Sequence, residues 1–210
     1  MIYQSNGPWP LDFIGMDILE KLFGSANRVK LLRLFLFNPG IAFGRPDIAK
    51  RSKVQRSKLA TELALFKKIK LVRQRKIRLK DDFGRSGTDG FELNQDFPLT
   101  HSLRTLLNND FLRKKLDIAK RFRHCGRFKL LILAGVFLEN PDSRIDLFIV
   151  GDRLKKKNIE GIIKTIEADI GRELAYALLE TEDFMYRFNS SDKFIRDFFV
   201  YPHERFFDKI

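Results

Sequence analysis

Cysteine, histidine and tryptophan are scarce in this sequence, and long apolar runs are missing altogether. Among 210 residues there are one Cys, three His and one Trp. The lone Cys125 excludes an intramolecular disulfide and a thiolate metal cluster, and it suits a reducing compartment. His101, His124 and His203 are far apart and lack ligand spacing, and His124 beside Cys125 does not make a site by itself. No metal or cofactor is therefore expected. No apolar stretch approaches the ~20 residues that cross a bilayer, and the opening MIYQSNGPWP lacks the charged start of a signal peptide. No Gly-rich phosphate loop precedes a helix. The expectation is a soluble, cytoplasmic protein with no membrane partner.

Positive charge and phenylalanine are plentiful. The formal net charge is +13, with 21 Phe. Core packing is the default account of the Phe content, and exposed Phe at a dimer interface is the lesser one. The charge is uneven. Residues 1–97 carry 19 basic and 10 acidic side chains, residues 98–129 carry 9 and 2, and residues 130–210 carry 12 and 15. A basic N-terminal two-thirds joined to a mildly acidic last third predicts two units with different jobs.

The richest stretch runs from Arg45 to Leu93. Pro46 suits a helix first turn, and Ile48 and Ala49 give that helix a small apolar face. Val54 falls in a turn. Leu59, Leu63 and Phe66 then form one stripe of a second helix, whose opposite face carries Arg56, Ser57, Ala60, Thr61 and Ala64. Short or hydrogen-bonding side chains of this kind let a helix lie deep in a DNA groove. From Leu71 to Lys80, apolar residues alternate imperfectly with Arg73, Arg75, Lys76, Arg78 and Lys80, as in a strand with one wet face. GRSGTDG (84–90) reads as a loop tip, with Phe91 and Leu93 in the returning strand. Between Arg45 and Lys80 there are 14 basic side chains and two acidic ones, a local balance of +12.

The helix–turn–helix spacing IAKRSKVQRSKLATELALFKKIKLV resembles a winged helix-turn-helix of the MarR or ArsR kind. Lys70 stands where those families usually have Gly. The resemblance implies double-stranded DNA as partner, with Arg56, Ser57, Lys58 and Thr61 at the major groove. Arg73, Arg75, Lys76, Arg78 and Arg85 would then lie on phosphates or in the minor groove. It also implies a homodimer on a pseudo-palindromic site. A first helix is predicted after Ser25, through Val29, Leu32, Phe35 and Leu36, and Ile41 to Phe43 supplies a strand for the wing.

Beyond Pro98 the pattern predicts a helix over 99–107, a basic helix over 110–123, and then alternating strands and helices. Strands are expected at 128–137, 145–150 and 174–179. Helices are expected at 155–170, capped by Gly171, from Thr181, and through Phe194 to Phe199. Here LAGVFLENPDSRIDLFIVGD and the helix after it resemble the minimal nucleotidyltransferase domain. That family places Gly and Ser at the end of a first strand, two acids about ten residues later, and a third acid on the next strand. The acids hold Mg²⁺ ions that bridge a triphosphate. Gly135 matches the glycine and Asp146 the second acid. Val136 replaces the serine, Arg144 replaces the first acid, and no carboxylate stands near Ala175, Glu173 lying two residues earlier on the same strand face.

The reading is a two-domain α+β and α/β chain. Residues 1–97 form a winged helix-turn-helix, 98–126 a helical connector, and 127–210 a nucleotidyltransferase-like domain with a small mixed sheet and its chemistry lost. The implied function is transcriptional regulation by sequence-specific DNA binding, with the last domain for dimerisation or sensing. A nucleotide or other anion, held by Arg144 with Lys129 or Arg127, is a candidate effector. Asp146 is expected to pair with Arg144 or to cap a turn. The alternative is an active, Mg²⁺-dependent nucleotidyltransferase with accessory nucleic-acid binding. An RNA reader is disfavoured, because Phe66 is the lone aromatic of the basic stretch.

Overall fold

The computed structural model describes residues 18–81, 84–113, 118, 120–122 and 124–210, with side chains undescribed at 78–81, 84–87 and 110–113. The chain is a mixed α and β protein with two small, separate sheets. α1 (Ile18–Phe23) and α2 (Ala26–Leu36) come first. The Ser25 hydroxyl accepts from Arg28 N at 3.3 Å and starts α2. All six residues from Leu31 to Leu36 are buried, far more than the one stripe the periodicity predicts. A helix buried on every side has neighbours on every side, and α2 does.

One neighbour is the first core. β1 (Phe43–Gly44) runs into α3 (Arg45–Ser52), and Pro46 sits in the first turn of that helix. Lys53, at φ 54°, turns the chain, buried Val54 fills the corner, and α4 (Arg56–Lys68) follows. β2 (Val72–Asp81) and β3 (Gly84–Leu93) pair antiparallel, and β1 adds to β3 through Phe43–Phe91 and Gly44–Gly90. Leu59, Leu63 and Phe66 of α4 join Phe35, Phe43, Phe91 and Leu93 in one apolar cluster. The hairpin is longer than expected. Gly84 to Gly90 do not form its tip but pair in register with Asp81 to Arg75. A glycine-rich strand is possible here because Gly90 lies under Ile77, whose Cγ2 would come within 2.8 Å of a Cβ at that position.

α5 (Thr100–Arg113) runs on past Leu107, where the first of two helices was expected to end. The Asn108-Asn109 pair suggests a break, but each Asn costs only a few tenths of a kcal/mol in a helix. Burial of Leu107, and the Asn108 amide donating to Glu139, outweigh that. Leu103 and Leu107 pack on the first core, so this part of the expected connector is attached to the N-terminal unit. Most of the basic helix expected over 110–123 lies outside the described side chains; within it, Ile118 and Phe122 are buried in the second unit.

The second sheet has the order β6-β5-β4-β7. β4 (Arg127–Ala134) pairs antiparallel with β5 (Leu147–Asp152) and with β7 (His203–Asp208), and β5 pairs parallel with β6 (Tyr176–Glu180). α6 (Lys156–Ile170) covers one face with Ile159, Ile163 and Ile166. α7 (Thr181–Asn189) and α8 (Lys193–Val200) cover the other, where Phe148 meets Phe184, Phe194 and Phe198 at centroid distances of 4.8–6.2 Å. All three expected strands have shifted bounds, β5 from 145–150 to Leu147–Asp152, and β7 was not foreseen. β4 stops at Ala134, because Gly135 takes φ 51° and opens a 3₁₀ turn through Leu138. β6 begins at Tyr176, because the Leu174 and Ala175 amides are taken by the Glu167 and Asp146 carboxylates instead of the ladder.

The other neighbour of α2 is α6. Arg33 donates to the Asp169 carbonyl at 2.8 Å, and the Asn38 amide donates to the Gly171 carbonyl at 2.6 Å. Asp169 also takes ion pairs from Lys30 (3.1 Å) and Arg121 (2.7 Å). From α3, Arg51 pairs with Glu173 at 2.8 Å, and just beyond it Lys53 donates to the Thr165 hydroxyl. Gly171 closes α6 at φ 74°, and a Cβ there would lie 2.4 Å from the Arg33 carbonyl carbon. The two units are in direct contact along this seam. No described helix is long and apolar enough to cross a membrane.

Candidate functional site

α4 presents its short and basic face outward. Arg56, Ser57, Lys58, Ala60, Thr61, Ala64 and Lys68 are all exposed, while Leu59, Leu63 and Phe66 point into the core. The single acid of this helix, Glu62, is buried and bonded to the Arg28 guanidinium at 2.8 Å. The outward face therefore carries cations, hydroxyls and methyls and no carboxylate. Among the described residues Arg56, Lys58 and Lys68 have no ion-pair partner.

The β2–β3 hairpin is less bare than the charge count suggested. Arg73 and Arg75 reach across the ladder to one carboxylate, Glu92, at 3.2 and 3.0 Å, and Lys76 meets Asp89 at 2.9 Å. Glu92 is almost fully buried, at 3% side-chain exposure, beneath two guanidiniums that stay more than half exposed. The Arg75 guanidinium holds the Glu92 carboxyl below its usual range against the cost of burial, with Arg73 adding to this. A balance counted from Arg45 to Lys80 misses both acids because they lie on the returning strand. Opposite charges in register across a ladder are the signal that would have found them. The side chains of Arg78 and Arg85 lie outside the described ones.

In the second unit, Gly135, Val136 and Asp146 come together where β4 ends and β5 begins. Asp146 Oδ1 accepts from Val136 N at 2.8 Å, and Oδ2 accepts from Ala175 N at 2.9 Å. A Cβ on Gly135 would lie 2.0 Å from Asp146 Oδ1, so this approach requires glycine twice over, for space and for φ. Burial pushes the Asp146 carboxyl up from its ordinary value, opposed by those two backbone donors and by the charge of Arg172. Asp146 is thus a clasp between three segments.

Of the two readings of Asp146, the bond to Val136 N in the turn after β4 agrees with a turn cap, and the pair with Arg144 is absent. Arg144 is exposed and lines a separate hollow against α8, with Phe194, Asp197 and Tyr201. Arg127 opens β4 and Asp146 lies beyond its far end, about 23 Å away at ~3.3 Å per residue, so Arg144, Lys129 and Arg127 do not converge on one anion. Glu173 turns outward to Arg51. Among the described residues, no group of three or more His, Cys, Asp or Glu side chains is placed to hold a metal. The chain matches no protein-family model, no curated protein and no solved structure. Its function therefore has to be argued from these surfaces alone.

Asp146 does border a cleft, though with other cations than expected. A hollow of about 750 Å³ opens between α5 and the second unit, lined by Arg104 and Thr105 on one side and by Val136, Glu139, Asp146 and Arg172 on the other. Arg172 stacks over the Phe37 ring at 4.5 Å, and Arg104 Nε donates to the Leu36 carbonyl at 3.1 Å. Nothing in the sequence marks these two arginines. They are 68 residues apart and meet only because α2 docks on α6.

Proposed function

We propose that this chain is a transcriptional regulator that binds double-stranded DNA sequence-specifically, with residues 18–97 acting as a winged helix-turn-helix. The observation that carries the reading is the outward face of α4, with Arg56, Ser57, Lys58 and Thr61 exposed and its one acid turned inward. A helix so dressed fits a major groove, where Arg reads guanine and hydroxyls reach bases or phosphates. The β2–β3 hairpin extends beside it with Arg73, Arg75 and Lys76 exposed, and Glu92 braces the first two. The order helix, strand, helix, turn, helix, hairpin also supports the winged-helix reading. Phe66, the lone aromatic of the basic stretch, is buried, which weighs against stacking on single-stranded RNA. Binding as a homodimer to a pseudo-palindromic site belongs to the same proposal.

Fluorescence anisotropy on the chain's own upstream DNA and on random duplex, across a salt series, tests it. We expect a preference of ~10³-fold or more with a steep salt slope. Arg56→Ala should weaken the preferred duplex by ~1–3 kcal/mol and the random one by far less. Equal, weak binding of both duplexes by the unmodified chain would sink the assignment.

For residues 127–210 we propose a nucleotidyltransferase-like fold that serves docking and sensing. Both oxygens of Asp146 already accept backbone amides, and Arg144 stands where an acid would be needed. Mg²⁺-dependent label transfer from a nucleoside triphosphate, abolished by Asp146→Asn in a folded variant, would reverse this.

A further inference from the structure

The cleft between α5 and the second unit holds two guanidiniums, Arg104 and Arg172, that form no direct ion pair, although the charges of Asp146 and Glu139 in the same cleft act on Arg172. Arg104 comes from the N-terminal unit and Arg172 from the segment after α6. Each is held by something other than a carboxylate, Arg172 by the face of Phe37 and Arg104 by the Leu36 carbonyl. Among the described residues neither guanidinium has a carboxylate oxygen within 4.0 Å. The two acids in the cleft are already engaged, Asp146 by the Val136 and Ala175 amides and Glu139 by the Asn108 amide. Burial lowers the proton affinity of Arg172, and the nearby charge of Arg104 lowers it further, with Asp146 and Glu139 opposing.

Two like charges brought together in a half-buried cleft repel, and the repulsion is relieved by an anion that touches both. Arg offers a planar fork for phosphate or carboxylate oxygens, and the single Nε bond of Arg104 leaves its terminal N–H groups for a ligand. Thr105 and Asn109 add exposed polar groups on the α5 wall. A hollow of about 750 Å³ suits a small metabolite.

We propose that this cleft binds a small polyanion, a phosphate- or polycarboxylate-bearing metabolite, bridged between Arg104 and Arg172. A ligand that touches both units biases how they sit together. Its effect on DNA rests on the reading of α4 given above; binding itself does not.

The test is isothermal titration calorimetry of the full chain at fixed ionic strength, with inorganic pyrophosphate as one probe and citrate as the other. Saturable 1:1 binding of at least one probe is expected, and the stronger of the two identifies the oxygen chemistry preferred. Arg104→Gln and Arg172→Gln should each weaken binding tenfold or more, while Lys164→Gln, exposed on α6, should leave it unchanged. Because both arginines also hold backbone or ring contacts, Thr105→Glu provides a second route. It leaves those contacts intact, puts a carboxylate at the mouth, and should also abolish binding. If neither probe saturates, or if affinity is the same in the Arg104 and Thr105 variants as in the unmodified chain, the site does not exist and the anion is held by the general basic surface. Repeating the DNA titration with the bound probe separates the two proposals: a probe that binds a chain with no duplex preference ends the regulator reading and leaves the site standing.

Discussion

Lys70 adopts φ 62°, the left-handed conformation that costs a side chain ~1–2 kcal/mol and glycine almost nothing. It stands at the corner between α4 and β2. The corner requires a positive φ, and the strain falls on the residue. Lys70→Gly should therefore stabilise the chain by ~0.5–1 kcal/mol, the relief of strain being offset in part by the freer unfolded chain. Chemical denaturation at neutral pH reads this directly. Asp146→Asn should do the opposite. An amide can accept with one end only, so its NH₂ would face the Val136 or Ala175 donor, and an unmet buried donor costs ~1–3 kcal/mol. A thermal melt should show the loss as a drop of several degrees.

Glu92 gives a pH signature. Its carboxyl lies below the ordinary 4.5 in the folded chain, chiefly through Arg75. A depressed acid contributes stability that is present above the unfolded value and lost as pH falls through the folded one. Glu92→Gln should accordingly be less stable than the unmodified chain at pH 7, and the gap should narrow below pH 4.5. Unfolding curves across pH 3 to 7 check this, and a constant gap would mean that the Arg73–Glu92–Arg75 contact does not titrate.

At the scale of elements, the parts that follow from local periodicity were legible. The stripe Leu59, Leu63, Phe66 reads as a helix with an apolar side because nothing else competes for those residues, and α4 buries all three. The parts decided by distant partners were not. α2 reads as amphipathic, yet it is buried all round because a second unit lies 130 residues further along. β6 starts late because Asp146 and Glu167 take the amides that would have joined the ladder. The outward face of α4 was legible as a candidate reading surface, since spacing alone places Arg56 and Thr61 opposite the stripe. The bracing of Arg73 and Arg75 was not, because strand register is invisible until the hairpin is folded. For the same reason the Arg104–Arg172 pair has no sequence signature.

At the scale of the whole molecule, the charge asymmetry has a second use. Lys30, Arg51 and Arg121 meet Asp169 and Glu173, so part of the contrast between a basic front and an acidic back is complementarity across the seam. These exposed or half-exposed pairs are each worth little, ~0–1 kcal/mol, and the closeness of approach matters more. Gly171→Ala forces a Cβ against the backbone of α2, where it would lie 2.4 Å from a carbonyl carbon. We expect this variant to lose the docking of the two units while each keeps its own core. Differential scanning calorimetry should then show two transitions in place of one. A single unshifted transition would show that the seam adapts.

The docking of α2 also sets an order of events during synthesis. The first core is complete once Leu107 has left the ribosome, but the partners of Arg33 and Asn38 follow only with Asp169 and Gly171. At ~5–20 residues per second this is a wait of roughly 3–13 s. For that interval the nascent front of the molecule holds its shape on its own apolar cluster, with the far side of α2 still wet.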